Sequence, residues 1–250
     1  MNHRFHDLAV LGSGTGLFVP RYWSGFVLDG EVLLDVPPTV GIHLRRLDLR
    51  SDMLTCAFVT HLHADHVFGL VFLALEFNFE RRRPVPLDVV GPAGIQEHVK
   101  RLYDLSYPRP EEAIPTREFP LGLRFHELRG RADGNVGALA YQAIPLKHHP
   151  RLLNSFGFRL TRGGQTIAYS GDTTMVPDVL ELARGADVFI VECTNHSGAH
   201  GDHLDLEAIH TLRRLLPAST RILVTHYQHI AQDHLPPGAT LVHDFDTIRL

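Results

Sequence analysis

The chain has 250 residues, 44% of them apolar and 21% charged, with a net charge of −4 when histidine is neutral. This composition excludes a disordered chain, and without a global basic field any affinity for nucleic acid would have to come from a local patch. Cys56 and Cys193 are the only cysteines, so no disulfide framework supports the fold and a reducing, cytoplasmic location is expected.

The segment Met1-Asn2-His3-Arg4-Phe5-His6-Asp7 lacks the basic-then-apolar pattern of a signal peptide, and no uncharged apolar run reaches the roughly 18 residues of a membrane span. No membrane partner is expected. No linker of Pro, Gly and Ser and no run of charge divides the chain, so residues 1–250 are expected to form a single domain.

Short apolar runs rich in Val, Ile and Phe predict strands at Leu8–Leu11, Gly25–Leu28, Glu31–Asp35, Thr55–Thr60 and Leu87–Val90 in the first half. Further strands are predicted at Gly137–Ile144, Phe156–Leu160, Gln165–Tyr169, Val188–Val191 and Ile222–Thr225. Asp29-Gly30 and Gly163-Gly164 are two-residue hairpin signals, because both positions accept positive φ. The early strands are therefore expected to be antiparallel. Helical spacing predicts helices over His66–Phe79, over Pro92–Tyr103 with Pro92 in the first turn, over Val176–Ala183, and over Leu206–Leu216 ended by Pro217. Two strand-rich halves, each followed by helices, imply an α/β (α+β) sandwich of mixed sheets covered by helices on its outer faces. Arg81-Arg82-Arg83 is the one basic run, readable as a solvated stretch after a helix or as a phosphate-binding patch.

With 18 histidines in the chain, no single one is informative and spacing must carry the argument. The decisive run is His61-Leu62-His63-Ala64-Asp65-His66, which leaves an apolar strand and enters a helix. His61 and His63, two apart in extended chain, point to the same side, and Asp65 and His66 fall where the chain turns. Imidazole with carboxylate suits zinc, with manganese, iron or nickel as alternatives; no local thiolate suggests a structural Cys site.

Thr60-His61-Leu62-His63-Ala64-Asp65-His66 with Gly69 resembles the signature of the metallo-β-lactamase superfamily. That resemblance asks for a later His, then an Asp, then a His, each at a strand end. Pro145-Leu146-Lys147-His148, Ser170-Gly171-Asp172-Thr173 and Thr225-His226 supply them. The resemblance spans Leu11 to about His229 and implies a four-layer αββα sandwich, a metal-dependent hydrolase and two divalent ions, zinc or else manganese. It implies that His61, His63 and His148 hold one metal, that Asp65, His66 and His226 hold the second, and that Asp172 bridges them. Two such cations about 3.5–4 Å apart acidify a shared water and clamp the attacking and leaving oxygens. His149, adjacent to His148, also satisfies the spacing of the third His.

Val191-Glu192-Cys193-Thr194 followed by Asp202-His203-Leu204 is similar to the ribonuclease Z-like branch, where a Glu orients a catalytic His. The resemblance implies that His203 stabilises developing charge and helps protonate the leaving oxygen while Asp65 positions the nucleophile. The plainer reading of His203 is one more exposed His in the His-rich stretch His196–His203. Leu11-Gly12-Ser13-Gly14-Thr15-Gly16 also fits the branch, as a tight connection requiring positive φ or as a phosphate-binding loop. His148 and Asp172 lie only 24 positions apart, leaving no room between them for the tRNA-gripping arm of ribonuclease Z proper. The expected function is cleavage of a small or cyclic phosphodiester. The alternatives are a ribonuclease Z-like endoribonuclease, a lactone, thioester or β-lactam hydrolase, and a non-catalytic sensor. By analogy with relatives, the partner expected beyond substrate is a second copy in a homodimer.

Overall fold

A computed structural model of the protein describes residues 4–17, 20–79, 85–107, 122–149, 154–198 and 202–250. The run Arg81-Arg82-Arg83 lies outside the described residues. In chain order the first half comprises β1 (Asp7–Gly12), β2 (Gly25–Leu28), β3 (Val32–Leu34), α1 (Val40–Arg46), β4 (Cys56–Phe58), α2 (Ala64–Val67), α3 (Gly69–Phe79), β5 (Leu87–Pro92), α4 (Ile95–Ser106) and β6 (Leu123–Leu128). The second half comprises β7 (Ala132–Val136), β8 (Leu139–Leu146), β9 (Ser155–Arg162), β10 (Gln165–Tyr169), α5 (Pro177–Ala183), β11 (Val188–Glu192), α6 (Leu206–Leu215), β12 (Arg221–Thr225), β13 (Ala239–Leu241) and β14 (Thr247–Arg249).

The strands form two seven-stranded mixed sheets, ordered β14-β1-β2-β3-β4-β5-β6 and β13-β12-β11-β10-β9-β8-β7. Side chains alternate across each strand, and the burial follows that alternation. Val32 and Leu34 of β3, Phe58 of β4, Phe156 and Phe158 of β9 and Val188 and Ile190 of β11 pack between the sheets. Leu33 and Ala57 face the other way, against Leu44, Leu70, Leu73 and Val99 of the helices on the first sheet. Phe189, Val191 and Val224 face Val179, Leu182, Ile209 and Leu212 of α5 and α6. Apolar burial on both faces of each sheet is the physical basis of the four-layer αββα sandwich. It explains why these strands read as continuous apolar runs.

The hairpin signals hold. Asp29 and Gly30 both have positive φ, 50° and 70°, and join antiparallel β2 and β3; Gly163 and Gly164 do the same for β9 and β10. Three expectations are corrected. Pro92 ends β5 opposite Leu128 and does not start a helix; α4 begins three residues later, at Ile95. The helix expected over His66–Phe79 is two helices, because the backbone of Val36 intervenes: its N–H donates to the His66 carbonyl at 2.8 Å and its carbonyl accepts from Gly69 N–H at 2.9 Å. Gly137, expected to open a strand, sits at φ 55° in the turn between β7 and β8.

Each sheet runs from antiparallel to parallel pairing, parallel from β3 to β6 in one and from β10 to β13 in the other. The carboxyl ends of parallel strands leave a crevice where connections diverge, a common place for a site. Among the described residues no helix is long and apolar enough to cross a membrane. Both cysteines are buried and unpaired, and burial pushes the Cys56 thiol up to about 12.

Candidate functional site

Five strands, β4, β8, β10, β11 and β12, deliver residues at or just past their ends to one end of the sandwich. The chain leaves β4 through Thr60, whose N–H donates to Asp35 Oδ1 at 2.8 Å; His61 and His63 follow, and Asp65 and His66 lie in the one-turn helix α2. His148 follows β8, Asp172 follows β10, Glu192 ends β11, and His226 follows β12 at φ 51°. Gly171, also at positive φ (56°), lets β10 approach the first sheet: a Cβ there would lie 2.5 Å from Thr60 Cβ. Glycine is required at that contact for both reasons.

The donor atoms of His61, His63, His148 and Asp172 all lie within 4.8 Å of one another, as do those of Asp65, His66 and His226, and those of Asp172, His203 and His226. Asp172 Oδ2 stands at the centre, 3.4 Å from Nε2 of both His66 and His226, 3.8 Å from Nε2 of His148 and 3.9 Å from Nε2 of His61. Asp65 Oδ2 lies 3.3 Å from His66 Nε2 and 3.6 Å from His226 Nε2. His149 stays outside this cluster, its ring centroid 6.1 Å from that of His63. Of the two, His148 is the one whose donor atom lies in the cluster.

The far nitrogen of most of these rings is held from behind. Nδ1 of His61 meets Thr60 Oγ1 at 3.0 Å, Nδ1 of His66 meets Asp35 Oδ2 at 2.7 Å, Nδ1 of His148 meets the Asp202 carbonyl at 2.8 Å, and Nδ1 of His226 meets Thr194 Oγ1 at 2.8 Å. Such outer bonds fix the tautomer and aim Nε2 inward, as metal-ligating imidazoles require. His61 Nε2 and His63 Nδ1 face each other at 3.0 Å. Among the described residues, Nε2 of His66, Nε2 of His226 and Oδ1 of Asp172 are buried without a hydrogen-bond partner. Buried polar atoms left without partners are costly, and a cation among these lone pairs satisfies all of them. The donor set thus fits divalent metal ions.

The electrostatics divide the rings into two groups. Burial lowers the affinity of His61 for a proton far below that of an ordinary imidazole, and burial with neighbouring histidines lowers His63 and His148. Burial would raise the Asp172 carboxyl, yet the surrounding histidines hold it well below the usual range. His66 is raised: burial opposes its charge, but Asp172, Asp65 and Asp35 outweigh that.

Glu192, 1% exposed, accepts at Oε1 from Thr173 N–H (3.0 Å), His203 Nδ1 (3.0 Å) and Leu204 N–H (3.2 Å). Its Oε2 accepts from Thr194 N–H at 2.9 Å and Thr194 Oγ1 at 2.8 Å. His203 is thereby fixed beside Asp172, and its ring stacks on that of His226 with centroids 5.5 Å apart. Burial works against a charged His203, but the Glu192 carboxylate prevails and raises it to about 9.

Two residues that organise this site carry no sequence expectation. Asp35 is fully buried and collects Thr60, His66 and the Tyr169 hydroxyl (2.7 Å), tying the first sheet to the second. Its signal is an aspartate ending an apolar strand just before Val36-Pro37-Pro38. Thr194 links Glu192 to His226, and nothing in its type or spacing announces that role. In the glycine-rich loop the expectation of positive φ is corrected. None of Gly12, Gly14 and Gly16 has positive φ, and the amides of Ser13, Gly14 and Leu17 are bonded within the protein. Its glycines answer to close contacts, such as the 2.2 Å a Cβ at Gly12 would leave to the Trp23 carbonyl oxygen.

This fold and its inward-aimed His and Asp cluster define a metal-dependent hydrolase of the metallo-β-lactamase superfamily, in its ribonuclease Z-like and phosphodiesterase branch. Residues 6–240 match the family model of the anti-Pycsar protein Apyc1, and the chain belongs to that family. It is similar to ribonuclease Z of Acaryochloris marina (strain MBIC 11017), 29% identical over 242 residues covering 79% of this chain and 75% of that one. The short form of human tRNase Z superposes with a TM-score of 0.75 at 27% identity, covering 97% of this chain and 98% of that one. A diphosphatase of the PhnP family has the same fold, with a TM-score of 0.77 at 20% identity over 98% of this chain and 97% of that one.

Proposed function

We propose that this protein is a two-metal phosphodiesterase acting on a small or cyclic phosphodiester. In this reading His61, His63 and His148 hold one divalent ion, Asp65, His66 and His226 hold the other, and Asp172 lies between them. The ions are zinc, with manganese as the alternative. When bound they supply Lewis acidity toward the phosphoryl oxygens and make water acidic enough to attack at neutral pH. The residues do the rest: Asp65 orients the attacking water, and His203, its Nδ1 anchored on Glu192, delivers a proton to the leaving oxygen. The single observation that carries the proposal is the Glu192–His203 bond of 3.0 Å beside Asp172, because a proton donor next to the donor cluster serves an alkoxide leaving group.

Substrate size is inferred from the interval between His148 and Asp172. Its described residues are the antiparallel hairpin of β9 and β10, with no arm to grip a folded RNA. A ribonuclease Z-like endoribonuclease is the second reading, favoured by the relatives at 27% and 29% identity. The buried, unpaired thiols suit a cytoplasmic enzyme.

With two equivalents of zinc or manganese, the protein should hydrolyse bis(p-nitrophenyl) phosphate and leave lactones and thioesters intact. His203→Ala should lower kcat by about 10²-fold or more, in line with the loss of a general acid. Lactone or thioester hydrolysis that survives His203→Ala would refute this reading. Efficient trailer removal from precursor tRNA would establish the second.

A further inference from the structure

After β1 the chain brings Gly16 against the side chain of Asp65. A Cβ built on Gly16 would stand 2.9 Å from Asp65 Oδ2, 3.2 Å from its Cγ and 3.4 Å from its Oδ1. The Gly16 φ is not in the left-handed region, so the backbone does not demand glycine there; the Asp65 carboxylate does. Any larger residue would have to push that carboxylate aside, since those three atoms are the nearest to the added carbon.

The loop can act as a wall only if it is itself rigid, and its two limbs are joined from outside. Gly14 N–H donates to the Tyr22 carbonyl at 2.7 Å and Ser24 N–H donates to the Gly14 carbonyl at 3.0 Å. Asp244, more than 200 positions later in the chain, then clamps both limbs: Oδ1 accepts from Ser13 N–H and Ser13 Oγ, each at 2.9 Å, and Oδ2 accepts from Tyr22 N–H at 2.9 Å. Tyr22 also packs edge-on against His43 and Phe245, with centroids 4.4 Å and 5.4 Å away. A carboxylate is the group suited to this place, because both oxygens face donors.

We propose that Asp244 is a positioning residue for Asp65, acting through the Gly12–Gly16 loop: it clamps the loop so that Gly16 confines the Asp65 carboxylate to the orientation aimed at His66 and His226. The inference rests on the metal-binding role given to Asp65 above. Gly16 is the contact, and Asp244 is the brace that keeps the contact in register.

The test compares wild type with Gly16→Ala, Asp244→Ala and Asp244→Asn. Zinc titration of chelator-stripped protein is read by calorimetry, with the thermal midpoint of the stripped protein and the kcat and KM for bis(p-nitrophenyl) phosphate. Gly16→Ala should weaken the second equivalent of zinc by about tenfold or more and lower kcat by a similar factor, on the scale of outer-shell changes at metal sites. KM and the stripped midpoint should hardly move. Asp244→Ala should shift zinc affinity and kcat in the same direction by about three- to tenfold, with Asp244→Asn between it and wild type, because one acceptor oxygen remains. Wild-type zinc affinity and kcat in both Gly16→Ala and Asp244→Ala would overturn the inference. So would an Asp244→Ala protein whose stripped midpoint falls while zinc affinity and kcat stay unchanged, since that is a structural role alone. If wild type itself fails to bind a second zinc, the metal-binding reading of Asp65 fails instead.

Discussion

At the scale of single residues, Thr194 shows how one hydroxyl joins two functions. It donates to Glu192 Oε2 at 2.8 Å and accepts from His226 Nδ1 at 2.8 Å, so the residue that orients His203 and an inward-facing imidazole share one support. Thr194→Val keeps the shape and removes both bonds. It leaves a buried carboxylate oxygen short of a donor and a ring N–H without an acceptor, about 1–3 kcal/mol of stability for each. Metal affinity should fall by about 10- to 100-fold, the usual effect of losing an outer bond to a ligating His. Thr194→Ser should restore most of both. Chemical denaturation and zinc titration of the three proteins check this, and a Val variant that binds zinc like wild type would remove Thr194 from the site's machinery.

At the scale of elements, legibility in the sequence followed burial. Buried parallel strands such as β11 and β12 stand out through their unbroken apolar runs, Val-Phe-Ile-Val and Ile-Leu-Val. β6, with the pattern Leu-Arg-Phe-His-Glu-Leu, and β7, Ala-Asp-Gly-Asn-Val, are edge strands whose polar residues mask them, while β13 and β14 have three residues each. α1 escaped notice as well, a helix of seven residues with arginines in its last turn. The candidate metal-binding residues were legible because they cluster in one short run or lie just past the end of a strand. Asp35 and Thr194 were not, since their importance lies in partners that are remote in sequence or shared.

The edge strand β6 owes part of its attachment to charge. Asp88 on β5 accepts from Arg124 at 2.5 and 2.6 Å and from His126 at 2.5 Å, two β6 residues on one face. Burial would raise the Asp88 carboxyl, but Arg124 and His126 overcome it and hold it below the ordinary range. A depressed carboxyl stabilises the fold above its unfolded-state pKa of about 4, and that contribution disappears as pH falls through the folded value. Both partners are about half exposed, so solvent screens the pair and its worth is below about 1 kcal/mol. Asp88→Asn should therefore unfold a few degrees lower at pH 7 and together with wild type near pH 2, with the gap narrowing in 1 M salt. A gap that persists at low pH would mean that packing, not charge, distinguishes the two.

At the scale of the whole molecule, the site is also a seam. His61, His63, Asp65, His66 and the supporting Asp35 come from the first sheet, whereas His148, Asp172, Glu192 and His226 come from the second. A cation shared among these groups would tie the two sheets together at one end of the sandwich, where the apolar layer between them gives way to polar side chains. Binding to the folded state alone stabilises by about 2.7 kcal/mol per site at a free metal concentration one hundred times Kd. For a chain of this length 1 kcal/mol moves the thermal midpoint by about 2–4 °C, so filling two sites should raise it by about 10–20 °C over chelator-treated protein. The rise should develop in two steps as the first and second equivalents of zinc are added, and Asp172→Ala, which removes the carboxylate lying 3.4–3.9 Å from Nε2 of His61, His66, His148 and His226, should flatten both. Scanning calorimetry at increasing zinc checks this. A midpoint indifferent to metal would show that the sheets are held without the ions, and that the unpartnered Nε2 atoms of His66 and His226 are satisfied in some other way.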